Sequence, residues 1–325
     1  MFLRQAYKTA TFVSYGYMNW TRGSFLKHQK EFKDQEMAVD LTDKQCLVTG
    51  ANTGIGYASA EALAARGATV HLVCRSKEKG EKAVGEIKAK TGNPNVSLQV
   101  CDLSSLQQVK DFAAEYTSSG RPLHILVNNA GLMETERTQT VDGLETNFAV
   151  NVAGVYAMTE LLMPALKRAS PESRVITVSS GGMLTENLNE NLQYEDKNVF
   201  DGTTQYARNK RVQVALTEYW VQKHKDAVGF YSMHPGWVDT GGLKKSMPDF
   251  HSTFQKSLRF LNEGADTITW LALQPRAKLQ NGEFYFDRKV AAKHLPGFGT
   301  QYTPKQVATI ASKIHSLCGL PPMSD

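Results

Sequence analysis

Short apolar runs alternate with helical patterns from residue 44 onward, and this alternation constrains the fold more than any other feature of the chain. Each run is too short for a buried helix and is followed by a segment with helical periodicity. Strands that are covered on both faces read as continuous apolar runs. The pattern therefore predicts an α/β fold with a single doubly wound parallel sheet and helices on both faces. The predicted strands are 45–50, 69–74, 96–101, 123–128, 174–180, 227–234 and 282–286.

The segments between these strands give the expected domain organisation. The crossovers leave no room for a second core, so we expect one domain at residues 41–290. An N-terminal extension would occupy residues 1–40, and a C-terminal tail at 291–325 would contain a short peripheral helix. The predicted helices are 55–66, 76–90, 104–116, about 141–167, 206–223, 263–273 and about 304–318.

A glycine-rich loop, TGANTGIG at residues 49–56, separates the first predicted strand from the first predicted helix. Glycines allow a tight turn and a close approach to a pyrophosphate, whose charge the helix N-terminus favours. This placement makes a dinucleotide site a stronger interpretation than a simple turn. A nucleoside triphosphatase is not supported, because the chain has no GxxxxGK[ST] pattern. The expected contacts are Gly50, Asn52, Thr53, Gly54, Ile55 and Gly56.

The end of the second strand is expected to select the cofactor. A carboxylate there would bind the ribose diol and repel a 2′-phosphate. Instead the strand ends in Cys74 and Arg75, and no acidic residue occurs before Glu78. A pairing of Arg75 with a phosphate is worth about 1.5–3 kcal/mol, which favours NADP(H) over NAD(H). The alternative is that Arg75 only caps an exposed helix start.

Composition limits the partners and the compartment. The net charge of +5 is spread along the chain and is too small to indicate nucleic acid binding. The four cysteines, at 46, 74, 101 and 318, fit neither a zinc site nor a disulfide framework. No cluster of His, Cys and Asp suggests a metal. Three of the cysteines lie in or next to strand-like runs, so we expect buried reduced thiols in an intracellular, reducing compartment.

The first 30 residues contain no acidic residue and five basic ones, interleaved with aromatic residues. The uncharged run between Lys8 and Arg22 is too short and too polar to span a bilayer, and it lacks the apolar region of a secretory signal. Three alternatives stay open: a mitochondrial presequence, an amphipathic anchor on a membrane surface, and an arm packed on the domain or loosely ordered. We therefore expect a cytoplasmic or peripheral membrane location, with the mitochondrion as the alternative.

Three tyrosines precede a lysine by four residues, which is the spacing of a proton-transfer pair: Tyr206, Tyr219 and Tyr285. Ligands of open α/β sheets bind beyond the carboxyl ends of the strands, where the following helices begin. Tyr206 starts its predicted helix, whereas Tyr219 lies about 20 Å further along that helix. Tyr285 belongs to a strand, so it shares no helix face with its lysine. Tyr206 and Lys210 are therefore the predicted pair.

The chain contains in order TGANTGIG, CDLSS (101–105), NNAG (128–131), NVAG (151–154), ITVSSGG (176–182), YARNK (206–210) and HPGWVDT (234–240). With these motifs residues 44–290 resemble the short-chain dehydrogenases/reductases, in which they recur in the same order and whose Rossmann fold is the sheet predicted above. The glycine spacing differs from that of the extended-type epimerases in this superfamily. Several stretches, including HLVCR and SMHPGWVDT, look closest to a branch whose relatives include retinol-dehydrogenase-like reductases.

This resemblance implies an oxidoreductase that transfers hydride between a nicotinamide and a carbonyl or alcohol. Tyr206 would donate the proton that the alkoxide needs, or accept it in the oxidative direction. Lys210, one turn away, would lower the pKa of the Tyr206 phenol and hold the nicotinamide ribose. Ser180 would donate a hydrogen bond to the substrate oxygen, with Ser179 as the competing candidate. Asn151 would anchor a water beside the lysine, or alternatively form a hydrogen bond at a helix kink.

The resemblance also assigns the remaining cofactor contacts. The segment that starts at Asp102 would lie beside the adenine, and residues 128–131 would line the floor under the cofactor. The turn after the sixth strand would meet the nicotinamide carboxamide. His234, just before that turn, is expected to be a packed strand-end histidine. The expected contacts are Asp102, Leu103, Asn128, Ala130, Gly131, Pro235, Gly236, Val238 and Thr240.

The substrate side is expected to be apolar. Between Ser180 and Tyr206 lie 25 residues, an insertion similar to that of retinol-dehydrogenase-like members. Three side chains are expected to rim the site, and three more after the PG turn would form a lid or fill the core. We therefore expect a lipophilic carbonyl such as a retinoid, a steroid or a fatty aldehyde. The rim residues are Met133, Met183 and Trp237; the lid residues are Met247, Phe250 and Phe254.

A catalytically silent, nucleotide-binding interaction module is the alternative function. It keeps the fold but does not require the four residues Asn151, Ser180, Tyr206 and Lys210 together. Homodimers are common in the family, and the sequence does not decide whether this chain forms one. Peripheral membrane contact through residues 1–30 stays open as well.

Overall fold

The computed structural model describes residues 2–195, 199–225 and 227–322. Within these residues eight strands form one sheet, and the first seven run parallel to one another. The predicted α/β fold is confirmed. The last strand, which pairs antiparallel at one edge, was not predicted. The strands are Gln45–Thr49 (β1), Thr69–Cys74 (β2), Val96–Val100 (β3), Ile125–Asn128 (β4), Arg174–Val178 (β5), Gly229–Met233 (β6), Phe284–Phe286 (β7) and Lys289–Val290 (β8).

The strand order is β3-β2-β1-β4-β5-β6-β7-β8, so the chain first builds toward one edge and then returns to build toward the other. The order reverses between β1 and β4, where Cys46 pairs with both Val70 and Ile125. Connections that leave in opposite directions open a crevice at the carboxyl ends of these two strands. The glycine-rich loop follows β1 and therefore opens into this crevice.

The helices cover both faces of the sheet and agree with the prediction in most of their positions. The first two helices precede the expected domain and the last follows it. The helices are Phe2–Trp20 (α1), Arg22–Gln29 (α2), Gly54–Ala64 (α3), Lys77–Thr91 (α4), Leu106–Ser118 (α5), Thr146–Phe148 (α6), Gly154–Leu161 (α7), Met163–Arg168 (α8), Gly202–His224 (α9), Gly241–Ser246 (α10), Pro248–Phe254 (α11), Leu261–Leu273 (α12) and Pro304–Leu317 (α13).

The helix predicted at about 141–167 begins later and is interrupted. The buried Glu145 carboxylate accepts hydrogen bonds from the N–H groups of Asn147 and Phe148, both at 2.7 Å, and this cap starts α6 at Thr146. A π-helical turn at Ala149–Ala153 then separates α6 from α7. Such turns are frequent at functional sites, and this one contains Asn151.

The C-terminal helix α13 is part of the main core, so the prediction of a peripheral helix is wrong. Ile310, Ala311 and Ile314 are at most 1% exposed and pack in the same cluster as Trp220 and Phe230. These residues follow the i, i+4 spacing of one helix face. Burial of that face against α7 and α9 makes the tail an integral part of the domain.

The N-terminal extension packs on the domain through its C-terminal part, as one of the three alternatives expected. Trp20 and Phe25 are 3% and 2% exposed. Val13, Tyr17 and Met18 on α1 remain exposed. Among the described residues, no helix has the length and apolar character needed to cross a membrane.

Candidate active site

The predicted Ser180, Tyr206 and Lys210 come together at the carboxyl edge of the sheet. Asp201 caps α9 by accepting from Thr203 N at 2.9 Å, so the helix begins at Gly202, four residues earlier than predicted. Tyr206 and Lys210 then lie one turn apart, with the Lys210 Nζ 5.3 Å from the centre of the Tyr206 ring. Ser180, two residues beyond β5, lies close enough to Tyr206 to lower the pKa of its phenol.

Burial controls the protonation of this cluster. It raises the pKa of Tyr206 to about 12, although the neighbouring Ser180 acts in the opposite direction. Burial also lowers the pKa of Lys210 to about 7. The expected lowering of the Tyr206 pKa by Lys210 therefore does not hold in this structure, because desolvation disfavours both charged forms. At neutral pH the phenol keeps its proton and is a donor.

The two adjacent serines have different roles. The Ser179 side chain is buried and donates to the Lys210 carbonyl at 2.9 Å. The Ser180 oxygen is partly exposed and accepts from Gly182 N at 3.2 Å. Ser179 thus attaches β5 to α9, whereas the Ser180 hydroxyl is available beside Tyr206.

Asn151 and Lys210 are held beside the loop that follows β4. The Asn151 side chain accepts from Leu132 N at 2.9 Å and donates to Leu132 O at 2.8 Å. Lys210 Nζ donates to the Val178 carbonyl at 2.8 Å. A Cβ on Gly131 would lie 3.2 Å from Asn151 Oδ1 and 3.3 Å from Lys210 Nζ, so both polar groups border this glycine. The Asn151 side chain therefore fixes the loop after β4. Its predicted role, as the anchor of a water or as a hydrogen bond at a helix kink, stays a prediction.

The other two Tyr–Lys spacings are structural. Lys223, which follows Tyr219, forms an ion pair with Glu160 at 2.8 Å on the far part of α9. The Tyr285 hydroxyl accepts from Gln280 N at 2.8 Å, and Tyr285 is only 2% exposed. Neither pair approaches the cluster around Tyr206.

The glycine-rich loop has the shape that a pyrophosphate requires. Gly50 and Gly54 both have φ of +65°, in the left-handed region that favours glycine. A Cβ on Gly50 would lie 2.9 Å from Ala130 Cα, and one on Gly56 would lie 2.5 Å from Gly50 O. Among the described residues, Thr53 provides no side-chain cap for α3, which leaves its first N–H groups available to phosphate oxygens. The loop therefore fits a dinucleotide.

A contact between Thr49 and Asn129, which the sequence did not predict, holds the NNAG segment in place. The Thr49 hydroxyl accepts from Asn129 N at 3.0 Å and from Ala130 N at 2.9 Å. The Asn129 amide in turn donates to Thr49 O at 2.8 Å. The sequence feature that could have indicated this contact is Thr49 itself, a threonine that ends a buried strand immediately before Gly50. This clamp fixes the floor of the crevice relative to the loop.

Two of the residues predicted to contact the cofactor have side chains that point away from the crevice. The Asn128 side chain is fully buried and donates to Thr159 Oγ1 on α7 at 3.0 Å, so it joins the sheet to the helix instead of lining the floor. Leu103 is 6% exposed and packs in the core below Gly154. In both cases the side chain faces inward from the sheet edge and does not line the crevice, so a cofactor contact of either residue stays a prediction. Asp102 is partly exposed, and its carboxylate accepts from Ser104 N and Oγ.

The turn after β6 forms the opposite wall of the crevice. Gly236 has φ of +83° and lies directly against the Arg259 side chain. Val238 is buried and pairs with Arg259, while Thr240 caps α10 by accepting from Leu243 N at 3.1 Å. Pro235 is partly exposed. His234 is packed as predicted.

Arg75 is exposed at the end of β2, and the described residues offer it no hydrogen bond or ion pair. The cap of α4 is made by Ser76, whose hydroxyl accepts from Lys79 N at 3.3 Å. Ser76, and not Arg75, therefore caps this helix.

The predicted substrate residues separate into two groups. Met133 is partly exposed, and its carbonyl accepts from the Ser246 hydroxyl at 2.9 Å. Trp237 is 9% exposed and contacts Phe250 and Phe254, with ring centres 4.9 and 5.0 Å apart. Met183 has no exposed surface. The prediction that Met183 rims the site is therefore wrong, because the residue packs with Trp20 of α1 in the core.

Comparisons with known proteins identify the family of this chain. Residues 44–249 match the family model for short chain dehydrogenase. The chain is 45% identical to human dehydrogenase/reductase SDR family member 12, with 89% of this chain and 91% of that protein covered. It is 35% identical to mouse retinol dehydrogenase 11, over 78% of this chain and 80% of that protein.

A solved structure supports the fold. The crystal structure of an uncharacterised protein from Mycobacterium paratuberculosis superposes with a TM-score of 0.68 at 23% identity, covering 89% of this chain and 98% of that one. Members of the matched family bind nicotinamide cofactors, which the glycine-rich loop fits. The chain belongs to the short-chain dehydrogenase/reductase family of oxidoreductases.

Proposed function

We propose that this protein is an NADP(H)-dependent reductase of lipophilic carbonyl compounds. The observation that carries the proposal is the cluster of Ser180, Tyr206 and Lys210 at the carboxyl edge of the sheet, beside a loop shaped for a pyrophosphate. Neither the fold nor nucleotide binding alone requires a phenol, a hydroxyl and an amine to meet at this place. The cluster has the groups that proton transfer to an alkoxide needs.

In this proposal a bound NADPH supplies the hydride to the carbonyl carbon. Ser180 donates a hydrogen bond to the carbonyl oxygen and polarises it. Tyr206 gives its phenolic proton to the same oxygen as negative charge develops. Lys210, with its Nζ 5.3 Å from the Tyr206 ring, stabilises the phenolate that remains. Asn151 holds the loop at Leu132 and so keeps the wall beside Lys210 in place.

The protonation of Tyr206 favours the reductive direction. With a pKa raised to about 12 by burial, Tyr206 carries the proton that reduction consumes. Alcohol oxidation would need the phenolate, which is scarce at neutral pH unless the oxidised cofactor or a cationic Lys210 lowers that pKa. A cell compartment rich in NADPH would drive the reaction the same way.

Arg75 is the basis for the NADP(H) preference. It is exposed at the strand end where a carboxylate would select NAD(H), and it has no partner among the described residues. An unpaired guanidinium there matches a 2′-phosphate in charge and geometry.

Arg75→Glu is expected to weaken NADPH binding by at least about tenfold and to reverse the preference toward NADH. The carboxylate repels the 2′-phosphate and accepts hydrogen bonds from the ribose diol. Equilibrium titration of the purified variant and wild type with each cofactor measures this change. Lys88→Glu, the same charge change at the other end of α4, is the control and should leave both affinities unchanged. Tighter binding of NADH than of NADPH by the wild type would overturn the Arg75 argument.

Apolar side chains around the crevice support a lipophilic substrate. Trp237, Phe250 and Phe254 form one aromatic group next to the segment that contains Met133. Each buried methylene of a substrate adds about 0.8 kcal/mol of binding free energy. Long aldehydes should therefore be preferred to short ones.

With NADPH, decanal and all-trans-retinal are expected to be reduced with kcat/KM at least about tenfold above that of propanal. Product analysis by chromatography measures all three rates under the same conditions. Faster turnover of propanal would contradict the lipophilic assignment and leave the reductase itself standing. No turnover of any of them, together with intact NADPH binding, would favour an interaction module over an enzyme.

A further inference from the structure

The last residue of α1, Trp20, is inserted between two glycines at the catalytic edge. A Cβ on Gly181 would lie 2.5 Å from Trp20 Cη2, and one on Gly16 would lie 2.7 Å from Trp20 Cε3. Trp20 is 3% exposed. Gly181 directly follows Ser180, so the indole packs against the turn that carries the proposed substrate-orienting hydroxyl.

A hydrogen-bonded histidine continues this contact. Trp20 meets His234 edge to face, with ring centres 4.7 Å apart and planes at 79°. His234 Nδ1 accepts the N–H of Gly181 at 3.0 Å, and its other face stacks on Phe286. The imidazole is thus held between two aromatic rings while it fixes the residue after Ser180. Removal of the indole frees one side of the imidazole.

The backbone of Trp20 holds the opposite wall of the crevice. Its carbonyl accepts from Trp237 N at 2.9 Å and from Arg259 Nε at 3.0 Å. Trp237 follows Gly236 in the turn that would meet the nicotinamide. The end of α1 therefore contacts both segments that border the reacting atoms, although it lies 160 residues before Ser180 in the chain.

We propose that Trp20 is a positioning residue, which holds the Ser180–Gly182 turn and the loop after β6 in the geometry that carbonyl reduction needs. The role rests on the proposed function, but its structural part does not depend on the substrate. The N-terminal extension is then a component of the active site. A purely structural tryptophan would instead affect stability and leave the chemistry of each folded molecule unchanged.

The test compares Trp20→Ala, Trp20→Phe and the exposed neighbour Met18→Ala in the full chain. For Trp20→Ala we expect kcat for decanal, counted per NADPH-binding site, to fall about tenfold to a hundredfold, as displaced catalytic groups do. The Kd for NADPH should change less than about threefold, because the carbonyl of residue 20 remains. Trp20→Phe should recover most of kcat, and Met18→Ala should match wild type. An unchanged kcat per site in Trp20→Ala overturns the proposal.

Hydrogen exchange of the free protein provides a measurement that needs no substrate. In Trp20→Ala, amides in the peptide 179–184 should exchange at least about tenfold faster, while those of β3 should keep the wild-type rate. Unchanged exchange at 179–184 overturns the positioning role even if no aldehyde is reduced. If wild type reduces none of the aldehydes but this exchange increases, the reductase proposal fails and the positioning role stands.

If Trp20→Ala does not fold, Gly16→Ala provides a second test of the proposal. Gly16→Ala adds one methyl group that collides with the rings of Trp20 and Trp237. It should produce the same loss of kcat and the same local increase in exchange, at a smaller size. Wild-type values for both quantities in Gly16→Ala would overturn the proposal.

Discussion

Tyr206→Phe is expected to lower kcat for aldehyde reduction by about a hundredfold to ten-thousandfold, because it removes the proposed proton donor. NADPH affinity should stay within about twofold of wild type, since the change deletes one oxygen atom and keeps the ring that packs near Lys210. Single-turnover kinetics with saturating NADPH and a titration of cofactor binding separate the two quantities.

Tyr219→Phe is the matched control. It makes the same change on the same helix, at the second tyrosine that precedes a lysine by four residues. Its kcat should equal that of wild type. If Tyr206→Phe keeps more than about a tenth of the wild-type rate, another group supplies the proton and the assigned mechanism fails.

Arg259→Met is expected to lower the free energy of unfolding by about 3–5 kcal/mol. Arg259 is 1% exposed and forms a two-pronged ion pair with Asp287, at 2.6 and 2.9 Å. Its removal leaves the buried carboxylate with a single partly exposed partner, His28. It also removes the donor to the Trp20 carbonyl. Urea unfolding followed by circular dichroism measures the loss.

A second substitution tests the cause of this loss. Arg259→Met combined with Asp287→Asn should recover a large part of the stability, because no buried charge is then left unpaired. Asparagine suits the position, since Asp287 has φ of +45° and asparagine tolerates the left-handed region. Lys289→Ala, which breaks the exposed pair with Glu31, should not shift the midpoint. Equal destabilisation of the single and double variants would mean that packing, and not charge, dominates.

Much of the site was predictable because it depends on local geometry. The phenol of Tyr206 and the amine of Lys210 lie on one helix face whatever else surrounds them, since four residues make about one turn. The glycines at 50 and 54 were predictable for the same reason, because a left-handed backbone selects glycine in the sequence. The strand-end position of Arg75 followed from the alternation of strands and helices.

Other features were not predictable because they depend on segments far apart in the chain. Asn128 was expected in the cofactor floor, yet its side-chain amide donates a hydrogen bond to Thr159 on α7. The tail helix was expected to be peripheral, yet Ile310 and Ile314 fill the core. The position of Trp20 against Gly181 joins two segments whose proximity no local pattern encodes.

The sequence by itself determined the order of strands and helices, the glycine turn and the pairing of Tyr206 with Lys210. Each follows from backbone geometry and from neighbours within a few residues. The tertiary structure alone decided the direction of the pKa shifts of Tyr206 and Lys210 and the inclusion of Trp20 and of α13 in the packed domain. Desolvation and packing are sums over all surrounding atoms, and most of those atoms belong to distant parts of the chain.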